Sequence, residues 1–167
     1  MMDRSIAELI AALCEKGILL DQLQALLKEE ENCMISLDLA KMEENQQEIT
    51  AGMERLAKLS EQCRLMIASI GAELGMPGNQ TLSPIIERLG SAQKRALAEA
   101  QQSVAGNAQA LQGALSLHRR LIEDSLNVVG NSVNFFNRIF NPGHTYGVAG
   151  AFVNAGRGSS GFVSKEI

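Results

Sequence analysis

Apolar residues recur at steps of three and four along most of the chain, the spacing of one face of an α-helix. Ile6, Leu9, Leu13, Leu20, Leu23 and Leu27 mark the first stripe, with Ile10, Leu19 and Leu26 widening it. Asp3 or Ser5 is placed to cap this helix, and Ser5 and Glu8 have capping-box spacing. Gly17 lies inside it and weakens it by about 1 kcal/mol relative to Ala. Glu29, Glu30 and Glu31, followed by Asn32, are expected on an exposed face or at a fraying end. Asp38 predicts the next cap or a kink. From Leu39 a heptad seam runs through Met42, Gln46, Ile49, Met53, Leu56, Ser60, Cys63, Ile67, Ile70 and Leu74, long enough to predict coiled-coil-like antiparallel packing. Its polar members, Gln46 and Ser60, either cost a little stability or select the register. Gly75 is placed as a left-handed cap with Pro77 just beyond it.

Residues 75–82 predict a loop, and Ser83 with Pro84 a fresh helix start. A helical pattern then extends from Ile85 to Phe140, with Gly90 and Ser91 as its expected break. Its spacing slips once, with two successive steps of four around Ile122, a stutter that alters local supercoiling. Pro142 ends the pattern. Beyond it the chain holds six Gly, three Ser and few charges, a composition that predicts a mobile tail punctuated by single apolar residues. The domain reading is a helical bundle over residues 1–141 and a flexible Gly-rich tail over 142–167. The fold class is all-α: an antiparallel three-helix bundle of long, coiled-coil-like helices.

Composition sharpens this picture. The chain is 46% hydrophobic, almost entirely through Leu, Ile, Ala, Met and Val, which favours long helices over sheet. All six aromatic residues lie at or after position 135: Phe135, Phe136, Phe140, Tyr146, Phe152 and Phe162. Between Asp124 and Arg138 there is no charge. Aromatic side chains dominate interface energetics, so Leu126 to Tyr146 reads as a docking surface that the rest of the chain holds out. Its apolar face carries Leu126, Val129, Val133, Phe136, Ile139 and Phe140, and its polar face Asn127, Asn131, Asn134, Asn137 and Asn141. A bland reading competes with this one: an ordinary bundle helix whose end packs on the first helix. A membrane-surface helix fits less well, because the polar face lacks Lys and Arg.

Other chemistry finds little footing. A net charge of -4 without a basic run argues against nucleic acid. Acidic residues interrupt the N-terminal apolar stretch, so no signal peptide is expected, and no window has the length of a membrane span. Cys14, Cys33 and Cys63 are odd in number and widely spaced, which predicts reduced structural thiols. His118 sits on the helical seam without the second ligand that a bundle metal site requires, so neither metal nor cofactor is expected. The glycines around Val148 and Arg157 match no phosphate-loop motif. Nothing in the sequence points to an enzyme.

The order of elements carries a resemblance. A long heptad hairpin, a Gly-Pro loop and a last helix ending in LHRRLIEDSLNVVGNSVNFFNRIF, followed by TYGVAG, resemble the FlgN family of flagellar export chaperones. The family's late-helix pattern of small polar residues among aliphatics resembles Asn127 through Asn137, and its C-terminal Tyr-Gly motif is similar to Tyr146, Gly147 and Gly150. The resemblance implies a cytosolic, non-enzymatic chaperone of the flagellar type III export system. It would hold the terminal helical segments of hook-associated proteins one and three and deliver them to the export gate. On that reading the six apolar residues from Leu126 to Phe140 form the cargo surface, and Tyr146, Gly147 and Gly150 the export-gate contact. The alternative is a structural coiled-coil protein that dimerises through its C-terminal apolar helix.

Overall fold

A computed structural model describes residues 2–78, 81–140, 144–146 and 152–154. It contains four helices, α1 (Met2–Ser36), α2 (Leu39–Glu73), α3 (Ser83–Arg88) and α4 (Ser91–Phe140), followed by two short strands, β1 (His144–Tyr146) and β2 (Phe152–Asn154). The chain divides into two compact units, Met1–His118 and Arg119–Ile167.

The first unit is an up-down-up bundle. Helix α1 passes through the acidic run without a break and ends in a Schellman motif: Asp38 N–H donates to the Cys33 carbonyl at 3.0 Å and Leu37 N–H to that of Met34 at 3.3 Å. The Asp38 carboxylate then caps α2 by accepting from Lys41 N–H at 3.1 Å. A break of two residues thus reverses the chain. The pairing of Arg55 with Glu15 and of Lys41 with Glu29 fixes α1 and α2 as antiparallel. Where α2 crosses α1, Gly52 lies directly over the fully buried Leu23. Gly75 closes α2 in the left-handed conformation (φ +74°), with Met76 N–H donating to the Gly71 carbonyl at 2.8 Å.

Helix α3 acts as a plug. In six residues and their flanks it buries Leu82, Ile85, Ile86 and Leu89. Its N-cap position is Leu82, one residue before the expected Ser83, so Ser83 is the first helical residue and Pro84 follows it. The break at Gly90 falls where the spacing placed it, and α4 then runs parallel to α1. Asn107 donates to the Gly17 carbonyl at 3.1 Å, Gln24 donates to the Asn107 carbonyl at 3.3 Å, and Gln93 donates to Asp3 at 2.9 Å. Gly17 therefore does more than weaken its helix: its carbonyl accepts the hydrogen bond that ties it to α4.

The core is aliphatic. Leu9, Ile85 and Leu97 have no exposed surface, and Ile6, Leu23 and Ile70 have 1%. The heptad seam foreseen for α2 is only partly inward. Cys63 and Ile70 are buried, but Leu39 is 72% exposed, while Asn45 and Leu59 are buried in place of their neighbours Gln46 and Ser60. A straight helix at 3.6 residues per turn drifts away from a 3.5-residue repeat by roughly 20° per heptad. The inward face of α2 therefore shifts by one position along its length.

The acidic run also differs from expectation. Glu29 and Lys41 form an exposed pair, but Glu30 is 1% exposed. One helical step of about 100° separates them, enough to turn Glu30 inward. It meets Gln46 of α2, whose side chain donates to Glu30 Oε1 at 3.0 Å. His118 Nε2 of α4 stands 3.7 Å from Oε2, an ion pair when the imidazole is protonated. Each of the three long helices thus contributes one residue to a single polar layer. Gln46 joins this layer through its side-chain hydrogen bond although its backbone position is exposed.

The second unit contains the last turns of α4 and the strand pair. The strands are antiparallel, with Thr145 opposite Val153 and Tyr146 opposite Phe152. They lie within the segment that composition assigns to the tail. The rest of 142–167 lies outside the described residues.

Candidate functional site

From Arg119 to Phe140, α4 has the surface of a helix that still awaits a partner. Leu126 is 65% exposed, Val129 59%, Phe136 55%, Ile139 53% and Phe140 66%, and Val133 is half-buried. None of them belongs to the hydrophobic core. Isolated exposed apolar residues are ordinary on protein surfaces, whereas a contiguous run of large ones marks an interaction site.

The local geometry follows from helix spacing. Phe136 stacks on Phe140 one turn later, with ring centroids 6.2 Å apart and planes 16° from parallel. Phe135 meets Phe136 edge-on at 5.7 Å, with planes at 71°. Val128 is 65% exposed and Phe135 59%, beside the six residues of the expected face. With Asn131, Ser132 and Phe136 they line a shallow groove. Residue spacing alone could have found it, since Val128 and Phe135 are one heptad apart. Of the other proposed contact, Tyr146 lies on β1, while Gly147 and Gly150 are outside the described residues.

The electrostatics of this face are those of an uncharged surface. Its nearest ion pair, Arg119 with Glu123 at 2.9 Å, is exposed and precedes the apolar run. Elsewhere the titratable groups mark structure. Burial pushes the Cys63 thiol up, against the weaker opposite pull of Lys16, which disfavours the nucleophilic thiolate there. Cys14 is exposed. The hydrogen bond from Lys41 holds the Glu29 carboxyl below its usual range. Among the described residues no three His, Cys, Asp or Glu side chains gather as a metal site, and no helix is long and apolar enough to cross a membrane.

The last helix of the bundle exposes a broad, uncharged, aromatic-bearing face, the kind of surface that marks an interaction site. The profile of the family described as "FlgN protein" matches residues 1–153. The chain belongs to the FlgN family, a family of flagellar export chaperones and not of enzymes. No curated protein and no solved structure matches it.

Proposed function

We propose that this chaperone works in the cytosol, where the face formed by Leu126, Val129, Val133, Phe136, Ile139 and Phe140 receives the terminal helical segments of hook-associated proteins one and three. Tyr146, with Gly147 and Gly150, is then the handle read by the export gate. The observation that carries the cargo reading is the exposure of large apolar side chains on an uncharged, already helical segment. Helices of axial subunits bury an apolar face when they assemble, and before assembly that face needs cover. An amphipathic helix laid along a complementary apolar face provides it. Full burial of one large side chain contributes about 1.5–3 kcal/mol gross. Several anchors offset the cost of ordering the cargo and leave an affinity from which the export machinery can take it.

Calorimetry of the full chain with each terminal segment tests the reading, with a Phe136→Ala/Phe140→Ala variant alongside. Saturable binding with a negative heat-capacity change, lost in the variant, is the expected result. Absence of binding by folded protein to every segment would remove the cargo assignment. A variant that changes native mass while cargo binding persists would instead identify the face as a dimerisation surface.

A further inference from the structure

The two short strands bring together residues that the sequence keeps apart. Tyr146 on β1 stands directly opposite Phe152 on β2, and His144 opposite Asn154. Opposite residues of an antiparallel pair share a face of the sheet, and successive residues alternate between faces. One face of the hairpin therefore holds His144, Tyr146, Phe152 and Asn154, and the other Thr145 and Val153. Only Tyr146, Phe152 and Phe162, of the aromatic residues, follow α4 in the sequence. The register sets two of them side by side. Gly147 and Gly150 belong to the sequence between the strands, 147–151, where a hairpin connection calls for residues at ease with positive φ. From Ile139 to Gly156 there is no Asp, Glu, Lys or Arg. A partner of this hairpin thus meets no full charge and must itself offer an apolar surface.

We infer that Phe152 is a second contact residue of the export-gate handle, presented beside Tyr146 by the strand pairing. The inference rests on the export-gate reading above and divides its labour. Tyr146 and Phe152 make the contact, while Gly147 and Gly150 serve the chain reversal that puts them together. A lone pair of three-residue strands is at best a marginal hairpin in water. Aromatic residues directly opposite each other favour the pairing, and a partner that takes both rings completes it. The receiving surface on the gate is therefore an apolar cleft with room for two aromatic rings. A single tyrosine read from an extended tail would need room for one.

The test measures binding of the full chain, free and loaded with a terminal segment of a hook-associated protein, to the purified cytosolic domain of the export gate. Tyr146→Ala, Phe152→Ala and Phe162→Ala are compared with wild type. All three substitutions lie beyond α4, and circular dichroism verifies that the bundle is folded. Tyr146→Ala and Phe152→Ala should each weaken gate binding roughly tenfold or more, whereas Phe162→Ala should leave it unchanged. Val153→Pro keeps both aromatic residues but removes a backbone N–H from the strand, and it should weaken binding as well. If Phe152→Ala binds like wild type while Tyr146→Ala does not, the inference falls and the handle reading stands. If Phe162→Ala weakens binding as much as Phe152→Ala, the gate reads the general apolarity of the tail and the register argument falls. If Tyr146→Ala has no effect, or wild-type protein does not bind in either state, both readings fall.

Discussion

Leu37 occupies a backbone conformation usually left to glycine. Its φ is +57°, it closes the Schellman turn between α1 and α2, and it is 79% exposed, so no packing compensates for the strain. The left-handed conformation costs an L-residue roughly 1–2 kcal/mol, part of which glycine returns as unfolded-state entropy. Leu37→Gly should therefore raise the unfolding free energy by about 1 kcal/mol, read as an increased urea midpoint at unchanged slope. Gly52 and Gly106 form a second contrast. A Cβ on Gly52 would stand 2.7 Å from Leu23 Cδ2, whereas one on Gly106 would meet nothing within 4 Å. Leu23 is 1% exposed and has little room to yield. Gly52→Val should cost about 1–3 kcal/mol by overpacking, and Gly106→Ala should add about 1 kcal/mol through helix propensity. Equal effects at the two sites would show that the close approach of α2 to α1 is not tight.

At the scale of elements, what could be read in the sequence and what could not divide by the kind of signal. Caps and breakers act locally, so Asp38, Gly75 and the Gly90–Ser91 break place the ends of α2, α3 and α4 within a residue or two. Burial is a tertiary property. The inward turn of Glu30 was hidden because its neighbours Glu29 and Glu31 make the run look solvated, and because its partners Gln46 and His118 are 16 and 88 positions away. The seam of α2 was legible as a helix and misleading as a face, since periodicity cannot say how far a straight helix drifts from its neighbour. The aromatic, uncharged end of α4 stood out by contrast with everything before it, whereas helix spacing alone left open whether Phe135 shares a surface with Phe136. The polar layer has its own test. Glu30 Oε2 and His118 Nδ1 are buried without hydrogen-bond partners, so the layer is only partly satisfied. Glu30→Ala strands Gln46 and His118 and should cost about 1–3 kcal/mol. Glu30→Gln preserves the shape and the acceptor for Gln46 and should lose clearly less in the same unfolding experiment. Equal losses would mean that the carboxylate charge, and not the hydrogen-bonded shape, holds the layer.

For the molecule as a whole, the uninterrupted course of α4 across the boundary of the two compact units has a kinetic meaning. Starting a helix costs about 4 kcal/mol, because several residues must be fixed before the first bond returns anything; extending one costs little. The turns of α4 before His118 are held by side-chain contacts with α1, so the nucleus already exists when the chain reaches Arg119. The segment beyond it, with Gly130 inside and asparagines along one side, is a weak helix by itself. It inherits its helicity by propagation from a finished end and frays from the other. Amide hydrogen exchange should therefore quicken progressively from Leu121 toward Phe140, each amide opening by local unwinding instead of with the whole bundle. Protection that is uniform along α4 would contradict this. An arriving partner helix would then find its first contacts near Ile122 already formed and would close the remainder in sequence toward Phe140, like a zipper whose bottom stop is sewn into the bundle.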